Sequence, residues 1–188
     1  AGPLTIAAGD AAPVPGLGDL NNDDLGASRT LIVEFDLKLI SVTGTDVTWF
    51  ALGFGFDGDP GAAATASDVV GANSDKESDV ALLMRTLDPD EPETKDHQIW
   101  IGGDAVDDEI DFGDVIASGA VGSVRITLGL SDAGILAGET AKFLAEIDED
   151  GDGTFDVNDS GTFTWTDASN YLWLGSRGGS EHQVTNFK

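Results

Sequence analysis

The 188-residue sequence has no cysteine, one methionine, one tyrosine and only nine basic side chains. Without cysteine, neither a disulfide frame nor a thiolate metal site is available. So few Lys and Arg residues form no cluster able to neutralise phosphates, which sets aside nucleic acid and anionic membrane surfaces as partners. No stretch approaches the roughly 18 apolar residues that a membrane-spanning helix requires, and no amphipathic helix of ordinary length is evident. A Gly-x-Ser-x-Gly elbow and a phosphate loop are also missing. Imidazole chemistry is confined to His97 and His182, both expected at exposed loop or strand-end positions.

What the chain has in excess is acid: 35 Asp and Glu residues give a net charge of -26. Of these, 26 are aspartate, a residue of turns, caps and metal loops more than of helix interiors. Cations are therefore the natural partners. A hydrophobic content of 40% fits a globular chain, and the length fits one domain with a real core. The opening "AGPLTIAAGD" begins at Ala without a basic start, as a processed exported chain does. An extracellular or cell-surface location is the expectation.

Two-residue periodicity dominates. In "TLIVEFDLKLI", Leu31, Val33, Phe35, Leu37 and Leu39 share one face, with Glu34, Asp36 and Lys38 on the other. In "VRITLGL", Val124, Ile126, Leu128 and Leu130 repeat the pattern. Further strands are expected at 48–56, 80–87, 98–101, 142–147, 162–165, 171–175 and 183–187. Twenty-five glycines and many Asp, Asn, Ser and Pro residues punctuate them. About nine strands of this kind predict an all-β fold: a two-layer antiparallel β-sandwich with jelly-roll connections. Residues 1–28 read as an N-terminal arm whose "PLTIA" can form an edge or donor strand, and 29–188 as the sandwich domain. The polar stretch 57–79 is expected to lie over one end of the sandwich. The acidic groups Asp57/Asp59 and Asp104 to Asp114 read as surface charge.

The most specific motif is "DEDGDGTFDVND", with five aspartates in twelve residues between two expected strands. Asp148, Asp150 and Asp152 occupy positions one, three and five of an oxygen-ligand calcium loop, Gly153 position six, Asp156 position nine and Asp159 position twelve. Thr154 would supply a backbone carbonyl. Calcium takes six to eight oxygens and lets carboxylates converge that otherwise repel. The flanks "KFLAEI" and "GTFTW" alternate as strands, so the expected unit is a calcium-clipped hairpin. An acidic hairpin solvated without a specific ion is the alternative. "DLNNDD", with Asp19, Asn21 and Asp23, repeats the spacing but has Asp24 where glycine is needed.

The same stretch contains "EIDED", which resembles the Glu-x-Asp-x-Glu strand motif of retaining glycosidases with a concanavalin-like sandwich. Glu146, Asp148 and Asp150 would share one face of a continuing strand and could act as nucleophile and general acid. The third acid is one methylene short, Glu149 replaces an apolar residue, and Gly151-Asp152-Gly153 ends the strand. The expectation is a non-enzymatic protein.

Trp49 alternates against Phe50, Leu52, Phe54 and Phe56, and Trp100 and Trp173 each sit across the strand from aliphatic neighbours. If the aliphatics face the inter-sheet core, Trp49, Trp100 and Trp173 line an outer sheet face on which a sugar ring can stack, with Arg85, Gln98 and Arg177 adding hydrogen bonds. A one-residue register change reverses this and sends the indoles into the core.

The closing "YLWLGSRGGSEHQVTNFK", with "IVEFDLKL" and "SVRITLGL", resembles laminin-G-like and concanavalin-A-like sandwiches from about Arg29 onward. The resemblance implies a jelly roll, frequent calcium, and binding of glycans or matrix proteins without catalysis. It carries over only Gly175 to Gly179 as a turn and Asn186 on the last strand. The expected function is a secreted, calcium-stabilised sandwich whose partner is a polysaccharide or a matrix or surface protein. The alternative is a structural subunit of an extracellular filament or coat, a homopolymer built by N-terminal strand exchange.

Overall fold

A computed structural model of the chain describes residues 4–6, 11–13, 30–43, 48–57, 64–71, 77–87, 95–112, 121–129, 139–148, 151–155, 157–165, 172–177 and 179–188. It contains β1 (Leu4–Ile6), β2 (Ala11–Pro13), β3 (Thr30–Val42), β4 (Thr48–Phe54), α1 (Ala66–Val70), β5 (Val80–Leu87), β6 (Lys95–Ile101) and β7 (Asp104–Phe112). These are followed by β8 (Val121–Gly129), β9 (Glu139–Asp148), β10 (Val157–Trp165), β11 (Leu172–Arg177) and β12 (Ser180–Thr185). Among the described residues no helix is long and apolar enough to cross a membrane.

The strands form two six-stranded sheets, ordered β1-β12-β3-β8-β9-β10 and β2-β11-β4-β5-β6-β7, every pair described being antiparallel. The chain crosses from β3 to β4, meanders through β5, β6 and β7, returns with β8 beside β3, and meanders again through β9 and β10. It then lays β11 beside β4 and β12 beside β3, which is the interleaving of a jelly-roll sandwich. All nine strands read from the alternation are present. The alternation works because each has one face toward the other sheet: Val33, Phe35 and Leu37 of β3 meet Phe50, Leu52 and Phe54 of β4 in one core. Val124, Leu128, Phe143, Ala145, Ile147, Leu82 and Met84 extend it.

The arm is built into both sheets. Leu4–Ile6 pairs with β12 and Ala11–Pro13 with β11, at the same side of the sandwich. The C-terminus is pinned too. Lys188 and Glu34 exchange both backbone bonds at 2.9 and 3.2 Å, and the Phe187 ring lies parallel to Phe35 at 5.9 Å.

Two expectations need correction. Asp104 to Phe112 forms an edge strand that the alternation does not predict, and the acids read as surface charge lie along it. Pairing with β6 overrides the low β propensity of aspartate there. The stretch 57–79 does not simply close an end. Its described part contains α1, whose Ala66, Val69 and Val70 pack on the outer face of the second sheet. Thr65 starts this single turn and a half with a capping box to Asp68, and Gly71 ends it in a left-handed conformation at φ 83°.

Candidate functional site

The acidic turn joins β9 to β10 as a hairpin, with Ile147 paired to Val157. Asp148, the last residue of β9, is buried, and its two oxygens do different work. Oδ1 accepts the N–H of Gly151 at 2.8 Å and Oδ2 that of Gly153 at 2.9 Å. The chain can wrap around this carboxylate only because both glycines take positive φ, 77° and 91°. Thr154 N–H then donates to Asp152 Oδ1 at 2.7 Å. Asp148, Asp152 and Thr154 are thus gathered in one turn. Asp159 is not: it lies within β10 opposite Ala145, three positions along the strand from the turn's first aspartate, or about 10 Å. Asp150 and Asp156 lie outside the described residues, as do Asp19 to Asp24.

The turn is tied back onto the sheet. The Phe155 ring lies under the Arg125 guanidinium, 4.1 Å from its centroid. Arg125 also donates to Glu34 on β3 at 3.2 Å and to Glu146 on β9 at 3.4 Å. Lys188 adds a 2.9 Å bond to Glu34, and these two cations hold its carboxyl below the usual carboxylate range. Of the glycosidase-like acids, Glu146 is therefore an ion-pair partner and Asp148 a turn anchor.

The outer face of the second sheet collects the other predicted residues. Pairing runs Trp100–Ala81–Gly53–Trp173 across β6, β5, β4 and β11. It sets the two indoles three strand spacings, about 14 Å, apart. A parallel row has Trp49 between Arg85 and Arg177. Gln98 pairs with Leu83 in the row between. The register thus puts the tryptophans opposite the core-facing Phe50, Leu52, Leu82, Leu172 and Leu174.

That face is not open, however. Ala66, Val69 and Val70 of α1, with Phe56, cover its centre, and Trp173 is wholly buried with the Phe56 ring 4.8 Å away, edge-on. Trp173 is therefore a packing residue of a second, smaller core and offers no surface to a sugar. Trp49, Trp100 and Gln98 remain partly exposed at its margin. Gly53 makes the covering possible, since a Cβ there would collide with Val69 and with the Ser78 hydroxyl, itself bonded to the Val69 carbonyl at 2.6 Å. Among the described residues the buried indole N–H groups of Trp100 and Trp173 have no acceptor. The side chains of Arg85 and Arg177 lie outside the described set.

His182, expected at an exposed strand end, is instead wholly buried on β12. Its ring lies edge-on to Phe50 at 5.4 Å, and its Nδ1 is 2.8 Å from Ser176 Oγ. The Ser176 hydroxyl donates to the Ser180 carbonyl at 2.6 Å, so its oxygen accepts from Nδ1–H. That order of donors makes the pair structural, because the hydroxyl proton does not point to the imidazole. Burial pushes the His182 pKa down to about 4. No signal in "SEHQVT" separates this histidine from Glu181 and Gln183 beyond alternation with Val184.

No protein-family model and no curated protein sequence matches the chain. Its fold is similar to that of chicken galectin 2, with 13% identity over 97% of this chain and 98% of the galectin and a TM-score of 0.38. It is also similar to metal-free lectin I-B4 from Griffonia simplicifolia, at 14% identity, 97% and 91% coverage and a TM-score of 0.43. A third similar structure is a xylan β-1,4-xylosidase from Bacillus halodurans C-125, at 12% identity, 84% of this chain and a TM-score of 0.43. The chain spans 27% of that xylosidase's length and 29% of a second glycoside hydrolase, of family GH43. At such identities the likeness concerns the fold.

Proposed function

We propose that this chain is a calcium-stabilised, non-catalytic sandwich that acts outside the cell, at a surface or in a matrix, by holding a polysaccharide or a neighbouring protein. The observation that carries the binding role is the row in which partly exposed Trp49 stands between Arg85 and Arg177, with Gln98 nearby on the same face. An indole with arginine positions on both sides in register offers residue types that suit the apolar face and hydroxyl edge of a sugar. Glu146 and Asp148 are engaged by Arg125 and by turn amides, which favours a binding role over hydrolysis.

What supports calcium here is the spare acceptor capacity of Asp148 at the head of the turn. Each Asp148 oxygen uses one lone pair on a backbone N–H and keeps another for a cation. Asp148, Asp150, Asp152, the Thr154 carbonyl and Asp156 would hold the ion. The register of β10 leaves Asp159 as the weak member. Bound there, calcium would neutralise the turn and clip β9 to β10.

Retention on a panel of immobilised polysaccharides tests the binding role. Trp49→Ala is expected to lower retention at least tenfold while the fold survives. Retention equal to wild type on every polysaccharide that the wild type binds rejects this face.

A further inference from the structure

The arm-bearing side of the sandwich differs from the opposite side in how its strand edges are guarded. On the far side, β7 carries Asp104, Asp107, Asp108, Glu109 and Asp111 among its nine residues. On a chain of net charge -26, that density repels the edge of any second copy. On the arm side the outermost long strands, β11 (LWLGSR) and β12 (SEHQVT), contain one acid and one arginine as simple charges between them. Charge does not close this edge; the arm does.

The closure is partial. β1 covers His182, Gln183 and Val184 of the six-residue β12, and β2 covers Trp173, Leu174 and Gly175 of the six-residue β11. Both pairings are made through the backbone, antiparallel, by segments only three residues long. Between Pro13 and Thr30 lie the sixteen residues 14–29, which at full extension span about 50 Å. Six strands at about 4.8 Å spacing make a sheet about 24 Å across. The tether is thus long enough to seat the arm on its own sandwich or on the same edge of an adjacent one.

We propose that the β11/β12 edge is a docking site for the arm of a second copy of this chain, so that residues 4–13 exchange between neighbours. Seated in trans, the arm makes the same backbone bonds in the same register, with no new contact required. What separates the two states is then concentration: a tethered arm competes at an effective concentration on the order of millimolar, and crowded chains can match that. Each chain has one arm to give and one edge to receive, so exchange either closes a pair or runs head to tail as an open polymer. This inference is independent of the sugar-binding face, which lies on the outside of the second sheet.

The register supplies the test. Thr5 pairs with Gln183, and the chain has no cysteine of its own. Full-length chains carrying Thr5→Cys alone and Gln183→Cys alone are mixed, refolded together from about 10 μM to about 1 mM and oxidised. A mixed disulfide dimer, absent in the dilute sample and rising at least tenfold in share with concentration, is the expected result. The double variant, oxidised when dilute, should close within one chain. Closure of the double variant with no mixed dimer at any concentration shows the arm to be fixed in cis and overturns the inference. Failure of the double variant to close removes the seat of β1 on β12 and overturns it equally. Melting of each single variant close to wild type confirms that the exchange is read in folded protein.

Discussion

Asp148 binds Gly151 through one carboxylate oxygen and Gly153 through the other, so one buried side chain ends β9 and shapes the turn that follows. Charge-assisted bonds of this kind each contribute about 1.5–3 kcal/mol. Asp148→Ala is expected to destabilise the protein by roughly 3 kcal/mol even in chelator, read as a lower urea midpoint. Gly153→Ala, forced to φ 91°, should cost about 1–2 kcal/mol from strain alone, since open space surrounds the added methyl.

The calcium proposal predicts an additional, separable effect. An ion bound only by the folded chain stabilises it by mass action, about 2.7 kcal/mol at one hundred times its dissociation constant. Millimolar calcium should raise the melting temperature of the wild type, and chelator should reverse it. Asp152→Asn should shrink the rise. A melt indifferent to both calcium and chelator would leave the turn merely acidic.

Val69 of α1 sits so close over Gly53 of β4 that a Cβ on the glycine would collide with it. Gly53→Ala is expected to push α1 and Ser78 outward, at a cost of about 1–3 kcal/mol. Val69→Ala relieves the clash with Val69 and leaves the one with the Ser78 hydroxyl. The double variant should therefore be more stable than the sum of the single losses predicts, by about 1 kcal/mol. Strict additivity in urea unfolding would mean that the two side chains do not meet.

The sheets were legible because alternation in β3, β4, β8 and β9 records directly which face is buried. The pairing of Trp49, Trp100 and Trp173 on one face followed from the same rule. What alternation cannot report is a cover placed on the outer face. Trp173 and the exposed-looking Trp49 have equal signatures in sequence, and among the described residues it is α1 and Phe56, over a glycine in β4, that bury Trp173. His182 was misplaced for a related reason: a polar residue at an inward position looks like a strand end until Ser176 and Ser180 are found beneath it. β7 was hidden because its five acids are tolerated at an edge and not in a central strand.

Trp173 and Trp49 should separate in experiment. Trp173→Ala empties the second core and is expected to cost about 3–5 kcal/mol. Trp173→Phe should cost much less, because the buried indole N–H it removes has no acceptor among the described residues. Trp49→Ala should lower polysaccharide retention and cost less stability than Trp173→Ala, because Trp49 packs on the rim of the second core while only partly buried. Equal destabilisation by Trp173→Phe and Trp173→Ala would mean that the N–H is satisfied in solution.

His182 gives the fold a pH dependence of definite sign. Its pKa falls from 6.5 to about 4 on folding because burial penalises the charged form of the ring. Between those values the unfolded chain takes up a proton that the folded chain refuses, so acid favours unfolding. The stability it contributes is complete above about pH 6.5 and is lost as pH falls toward 4, a change of about 3 kcal/mol. The many carboxylates titrate in the same range, and relief of their mutual repulsion acts in the opposite direction. The measurement is therefore differential: urea unfolding of wild type and His182→Asn at pH 7, 5.5 and 4.5. Asn cannot titrate but can still donate toward Ser176. The wild type should lose roughly 2–3 kcal/mol more than the variant between pH 7 and 4.5. Parallel curves would show that the ring is protonated in the fold and that Ser176 and Ser180 accommodate the imidazolium.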